Sequence, residues 1–201
     1  GDWSSDVCSS DLRTLGSSLA GLPDLPEGIG ILLDADTGKT PIERWQDLLA
    51  DLNSEEGVPK LKWGLRPGTV GNGAPRAGVY VLPDNQRVGT LESILLECAE
   101  KVYPKLYTLA SQYVGSISPD DAEILPHSDD RQDYKKPAGR QKATAGAISS
   151  ILRPGKAIQV SIQDNSWLRR NEAFELSSVV ELQKFVDGII GVIPESGSAA
   201  C

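Results

Sequence analysis

An apolar run bounded by glycines and followed by two acids constrains the fold of this chain more than any other stretch. Residues 29–33 read Ile-Gly-Ile-Leu-Leu, and Asp34 and Asp36 follow with one residue between them. A short apolar run of this kind predicts a strand that is covered on both faces, as in a parallel sheet. The two acids are therefore expected at the carboxyl end of a buried strand.

The residues after the acids predict the start of a helix. Thr40 suits the N-cap, Pro41 suits the first helical position, and Glu43 completes a capping box. Open α/β sheets bind their ligands outside the carboxyl ends of the strands. The order of these signals therefore places Asp34 and Asp36 where a ligand site is expected.

Asp34 and Asp36 are candidate metal ligands. Alternation along an extended chain points the two side chains the same way, and neighbouring carboxylates repel each other unless a cation lies between them. Their hard oxygen atoms suit Mg²⁺ or Mn²⁺. The alternative is that both residues are ordinary loop acids before a helix, and we favour the metal site on the pattern alone.

Periodicity along the rest of the chain predicts an α/β fold. Apolar residues at helical spacing predict helices over residues 41–53, 89–102, 105–114, 141–152 and 178–190. A β-rich composition predicts a strand over 77–82, and alternation predicts a strand or extended arm over 157–162 and a short edge strand with a loop within 57–73. The expected architecture is a parallel sheet flanked by helices.

Composition limits the classes of protein and of site. The net charge of −8 gives no support to a broad nucleic-acid-binding surface, although a local basic patch stays open. Cys98 is the only cysteine away from the ends of the sequence, so we expect no disulfide framework and a reducing, cytoplasmic compartment.

His127 is the only histidine. It cannot build a zinc cluster with one such cysteine, and we expect it in a solvated loop. No apolar run is long enough to span a bilayer, so no membrane partner is expected.

The first twelve residues have an unusual sequence. Residues 2–12 resemble the in-frame translation of a common short-read sequencing adapter, and the chain contains no methionine. We therefore expect residues 1–12 to be an artefact that joins the native frame inside a gene. Residues 13–191 are then the predicted domain, and residues 192–201 a disordered tail.

Two known motifs share part of the stretch from Asp34 to Thr40. Gly38-Lys39-Thr40 has the ending of a phosphate-binding P-loop, but such a loop needs a glycine where Leu33 stands. The Asp-x-Asp pair resembles that of haloacid-dehalogenase phosphatases, in which one aspartate is the nucleophile and the other an acid/base. Those enzymes usually carry Thr or Val where Gly38 stands, and this phosphatase is kept as an alternative.

A third resemblance covers most of the chain from Gly28 to Gly191. Its motifs are Leu-Leu-Asp-Ala-Asp, Arg-Trp-Gln-Asp-Leu, Pro-Gly-Thr-Val, Gly-Val-Tyr-Val-Leu-Pro-Asp-Asn and Gly-Thr-Leu-Glu, at residues 32–36, 44–48, 67–70, 78–85 and 89–92. In their order and spacing they are similar to a TOPRIM-like family of unknown function, related to the TOPRIM half of OLD-type nucleases.

The resemblance implies a parallel α/β sheet that binds divalent metal at its strand ends. Asp34 and Asp36 match the family's Asp-x-Asp pair and Glu92 the acid of its Gly-x-Leu-Glu turn, so all three are implied metal ligands. Asp84 matches the acid of the Pro-Asp-Asn turn, and Lys142 matches a lysine that assists at the scissile phosphate. TOPRIM domains also carry an essential glutamate after their first strand, and we expect that strand and glutamate to be missing before residue 13.

The function implied for the intact parent is metal-dependent phosphodiester chemistry of the nuclease kind, on DNA or RNA. We expect folding and activity to be impaired in the chain as given. Mg²⁺ or Mn²⁺ would activate water, and Lys142 would neutralise charge on the phosphoryl group. A protein partner in a defence or regulatory complex is compatible with this function. A non-catalytic module that binds nucleic acid or nucleotide is the remaining alternative.

Overall fold

The computed structural model describes residues 26–35, 38–54, 60–164 and 170–192. The chain divides into two compact units. We call them the sheet unit (Gly1–Val88 with Glu181–Cys201) and the helical unit (Gly89–Val180). The expected adapter-derived segment lies outside the described residues, as does all of the expected tail except its first residue, so both stay predictions.

The described elements alternate between strand and helix at first and then are all helical. In chain order they are β1 (Gly28–Asp34), α1 (Pro41–Ser54), β2 (Arg76–Leu82), α2 (Leu91–Val102), α3 (Pro104–Ser116), α4 (Ser128–Lys135), α5 (Gly139–Leu152), α6 (Ile158–Asp164), a 3-10 helix (Asn171–Glu175) and α7 (Ser177–Ile190). β1 and β2 pair in parallel, and the register sets Asp34 opposite Leu82. The fold is therefore mixed α/β with a small parallel sheet flanked by helices, which confirms the coarse prediction.

One face of this sheet packs against α1. Because strand side chains alternate between faces, every second residue of each strand reaches the helix. The buried cluster consists of Ile31, Leu33, Ala35, Leu48, Leu52, Val79 and Val81, with Trp45, Leu49 and Trp63 packed against it. The predicted apolar stripe of α1 is confirmed at its centre, whereas Ile42 at its start is 44% exposed.

Small residues on the other face of the sheet allow α7 to approach it. Phe185 and Ile189 are buried, and the rings of Tyr80 and Phe185 lie 5.4 Å apart between centroids. A Cβ atom at Gly30 would lie 3.3 Å from the Ile189 side chain, and one at Gly78 would lie 2.8 Å from the Phe185 ring. These two glycines therefore serve close packing of helix on sheet.

The expectation that β1 is covered on both faces is wrong for the described residues. Ile31 and Leu33 are buried, but Leu32 between them is 48% exposed. Ile189 packs over the glycines near the start of the strand. On the second face, α7 therefore approaches the start of β1, while Gly30 and Leu32 remain exposed.

The edge strand expected within 57–73 is also absent from the described part of that range, residues 60–73. Trp63 forms a single bridge to Ala77 and Val70 a single bridge to Gly78. Leu65, within this range, is 93% exposed. The glycines and prolines of this segment prevent a regular ladder, so it follows β2 through isolated contacts.

The helical unit has its own core, formed where α2, α3 and α5 meet. Ala99, Ala110 and Ile148 are buried there, and Ile162 of α6 packs against the cluster. In the described ranges, no helix combines the length and the apolar character needed to cross a membrane.

Residues 158–162 form the start of α6, so the strand or arm predicted over 157–162 is wrong. The backbone N–H of Ser161 donates to the carbonyl of Ala157, as in a helical turn. The Ser161 hydroxyl donates to the backbone carbonyl of Ser149 on α5 at 2.8 Å. Alternation over a short segment favours a strand, but packing against α5 selects the helix here.

Candidate functional site

The carboxyl ends of β1 and β2 lie at the same edge of the sheet. Asp34 is the last residue of β1 and is half-buried, and Asp84 comes two residues after the end of β2. The parallel register therefore brings Asp34 and the turn that contains Asp84 to one edge. Asp36 lies outside the described residues, so its alignment with Asp34 stays a prediction.

The capping box predicted at the start of α1 is confirmed. The backbone N–H of Thr40 donates to Glu43 Oε2 at 2.7 Å, and the backbone N–H of Glu43 donates to Thr40 Oγ1 at 3.4 Å. The hydrogen bond from the Thr40 backbone, with a second from its hydroxyl, lowers the pKa of Glu43 below its ordinary value. Lys39 pairs with Asp47 at 2.6 Å. The polar residues of the Gly-Lys-Thr sequence thus have protein partners at the start of α1.

Asp84 holds the turn that follows β2. Its Oδ1 accepts hydrogen bonds from the backbone N–H groups of Gln86 at 3.1 Å and Arg87 at 2.8 Å, and its Oδ2 accepts one from Arg87 Nε at 2.5 Å. Burial raises the pKa of this carboxyl, but the hydrogen bonds from Arg87 and Gln86 outweigh it, and the pKa lies below its ordinary value. The structure thus gives Asp84 a role in the turn, and its catalytic role stays a prediction.

Asn85 fixes the same turn and was not singled out by its sequence. Its backbone is left-handed, with φ of 64°. Its side-chain oxygen accepts a hydrogen bond from the Val81 N–H at 2.8 Å, and its own N–H donates to the Val81 carbonyl at 2.7 Å. Asparagine tolerates this conformation better than most residues. An asparagine in the polar turn after a strand could therefore have been used to predict the left-handed position of this turn.

Glu92 lies in the first turn of α2, in the helical unit. It is half-buried and stands between Thr90 and Ser93, which cap the helix reciprocally. The backbone N–H of Thr90 donates to Ser93 Oγ at 3.1 Å. An acid in this position is stabilised by the helix dipole, so the location of Glu92 is explained with or without a metal.

Lys142 is exposed in the first turns of α5, in the same unit. The preceding residue, Gln141, reaches the capping box of α2: Thr90 Oγ1 donates to Gln141 Oε1 at 3.3 Å. Gln141 Nε2 donates to Ser93 Oγ at 3.4 Å. The helical unit therefore brings Lys142 and Glu92 to adjoining helix starts. The sequence did not predict the contact of Gln141 with Thr90 and Ser93, because these residues are about 50 positions apart in the chain.

His127 is exposed and occupies the N-cap position of α4. The prediction of a solvated residue is confirmed. Among the residues that the structure describes, no three His, Cys, Asp or Glu side chains form a group that could hold a metal ion. A metal site built from the predicted acids therefore depends on Asp36, which lies outside those residues.

The chain matches the family described as "Protein of unknown function (DUF3226)" over residues 8–185. This match covers most of the chain and confirms the predicted membership of a family of unknown function. No curated protein and no solved structure matches the chain.

Proposed function

This chain belongs to DUF3226, a family of proteins of unknown function, and we propose that it performs divalent-metal-dependent phosphodiester chemistry of the nuclease kind. The observation that carries the proposal is the edge of the sheet. Parallel pairing of β1 and β2 sets Asp34 opposite Leu82, so an acid lies at the carboxyl end of the strand pair. In open α/β sheets that edge is where ligands bind.

Asp34 and Asp36 are the proposed ligands of Mg²⁺ or Mn²⁺. Mg²⁺ in phosphate-handling sites is commonly held by one or two carboxylates, with water and substrate phosphate completing its shell. Two acids are therefore enough for such a site, although they are too few for a cation held by protein ligands alone. The bound cation would polarise the phosphodiester and lower the pKa of a water molecule.

Glu92 and Lys142 enter the proposal through the TOPRIM-like resemblance alone, as a metal ligand and a catalytic lysine. Lys142 is exposed and positively charged, and it would neutralise charge that develops on the phosphoryl group. The net charge of −8 makes such local cations necessary for any nucleic-acid substrate. The TOPRIM-like fold, DNA or RNA as substrate, and a protein partner in a defence or regulatory complex belong to this proposal.

Calorimetric titration with MgCl₂ and MnCl₂ tests the metal site. We expect the wild type to bind, and Asp34→Asn/Asp36→Asn to bind at least about tenfold more weakly, because both ligands lose their charge. Asp129→Asn/Asp130→Asn is the matched control: it removes two acids from the exposed first turn of α4. Equal binding by all three folded proteins, or no binding by the folded wild type at millimolar metal, refutes the proposal.

Cleavage of labelled DNA and RNA oligonucleotides then tests the chemistry. We expect Lys142→Met to retain metal binding and to lose cleavage, because the substitution removes the charge and keeps the length of the side chain. Binding of a beryllium fluoride phosphate mimic that requires Asp34 would instead indicate a phosphatase. Binding of nucleic acid that is indifferent to Asp34 and Asp36, without cleavage, would indicate a binding module.

A further inference from the structure

The amide group of Gln141 bridges the two residues that cap α2. Thr90 and Ser93 cap the helix reciprocally, which leaves the Thr90 hydroxyl proton and a lone pair of Ser93 Oγ for other partners. Gln141 matches both: its Oε1 accepts from Thr90 Oγ1 at 3.3 Å, and its Nε2 donates to Ser93 Oγ at 3.4 Å. All three residues are half-buried, so water competes less for these bonds than it does at the surface.

This bridge joins the starts of two helices that carry charged residues. Glu92 lies between the two capping residues of α2, and Lys142 directly follows Gln141 in α5. The start of α5 has no side-chain cap of its own, since its N-cap residue is Ala138. The two hydrogen bonds of Gln141 therefore tie an otherwise uncapped helix start to a capped one.

We infer that Gln141 is a positioning residue, which fixes the backbone that carries Lys142 relative to the backbone that carries Glu92. The use of this arrangement in catalysis rests on the proposed function. Glutamine suits the task because its amide donates with one atom and accepts with the other. An error of about 1 Å in the placement of a catalytic group can cost on the order of a hundredfold in rate, so the bridge would matter more for kcat than for substrate binding.

Two substitutions separate the bridge from general packing. Gln141→Leu keeps a similar volume and removes both hydrogen bonds. Gln141→Glu keeps the acceptor for Thr90, can accept from the Ser93 hydroxyl, and places a negative charge at the start of α2, where the helix dipole favours it. Gln112→Leu is the matched control, because Gln112 is exposed on α3.

Amide hydrogen exchange in the full chain measures the bridge independently of activity. In Gln141→Leu we expect the Ser93 amide to exchange about fivefold faster, the effect of losing a cap interaction, with Ala99 near the end of α2 unchanged. Gln141→Glu and the control should remain within about twofold of the wild type. An unchanged Ser93 amide in Gln141→Leu would overturn the inference whether or not the protein is an enzyme.

Steady-state hydrolysis of an oligonucleotide with Mg²⁺ measures the positioning. We expect Gln141→Leu to lower kcat about tenfold with KM unchanged, because the substitution misplaces Lys142 without removing it. Gln141→Glu should recover most of the loss. Faster exchange with unchanged kcat would overturn the positioning role, whereas a wild type that hydrolyses nothing refutes the proposed function and leaves the bridge to be decided by the exchange rates.

Discussion

Replacing Asp84 distinguishes a residue that holds a turn from one that acts only on a substrate. The carboxylate accepts two backbone hydrogen bonds, from Gln86 and Arg87, and one from the Arg87 guanidinium. Both donor residues are exposed, so water replaces part of what is lost in Asp84→Ala. Each backbone bond to a charged acceptor then contributes about 0.5 kcal/mol and the ion pair about 0.5 kcal/mol, or about 1.5 kcal/mol in total.

The predicted order of stability is wild type, then Asp84→Asn, then Asp84→Ala. Asparagine keeps an oxygen that can accept the backbone bonds and loses the charge, so we expect about half of the full effect. Asp47→Ala is the control: Asp47 pairs with Lys39 at the surface, and removing that pair should change the free energy of unfolding by less than about 0.5 kcal/mol.

Urea unfolding followed by tryptophan fluorescence is a suitable assay, because Trp45 and Trp63 pack against the core of the sheet unit. The pKa of Asp84 is lowered in the folded state, so its contribution is fully present above the ordinary pKa of the carboxyl. The advantage of wild type over Asp84→Asn should therefore disappear as the pH falls through the lowered value. An Asp84→Ala protein that unfolds like the wild type but loses cleavage would refute the structural role and support the catalytic one.

Two further predictions concern one residue in each unit. Gly191→Ala should destabilise the protein by about 1.5 kcal/mol in the same urea assay, because Gly191 has φ of +77°, a backbone conformation that strains alanine. A Cβ there would also lie 2.6 Å from a guanidinium nitrogen of Arg76, which can shift, so unchanged stability would contradict the backbone strain. Burial, assisted by the charge of Glu97, raises the pKa of Cys98 to about 11, so about one thiol in a thousand is ionised at pH 8. Iodoacetamide should therefore label Cys98 in the native protein at least about a hundredfold more slowly than after unfolding, as measured by mass spectrometry of its peptide, and rapid native labelling would contradict this. The pKa of Cys98 is higher in the folded than in the unfolded protein. The stability contributed by burying the neutral thiol is therefore present below the ordinary thiol pKa and is lost as the pH rises through about 11.

Local sequence signals predicted most of the regular elements. The β-rich run from Ala77 to Leu82 forms a strand, and Thr40 with Glu43 caps α1 as expected. These signals succeed because a strand pattern or a capping box depends on residues within a few positions of each other. The helix α4 was not predicted, because Ser128–Lys135 is short and contains no buried residue, so it has no apolar stripe to mark a helix.

The candidate site was predictable only as a list of residues. The sequence placed Asp34 at the end of a strand, and the register of that strand with β2 brought the turn of Asp84 to the same edge. The hydrogen bonds from the backbone of Gln86 and Arg87 to Asp84 are local and could have been predicted, because aspartate commonly accepts from the backbone two residues further on. The sequence could not reveal Gln141, whose partners are about 50 residues away.

Tertiary structure decided the features that depend on distant partners. Ser178 at the start of α7 donates its hydroxyl to Glu97 of α2 at 2.6 Å, across 81 positions. Residues 158–162 are helical and pack against α5, where the Ser161 hydroxyl donates to the carbonyl of Ser149. The sequence by itself determined where the chain can form strands, helices and turns, because those choices depend on neighbouring residues. Only the tertiary structure determined which elements meet, because burial and hydrogen bonding between distant segments select one arrangement among several that are locally acceptable.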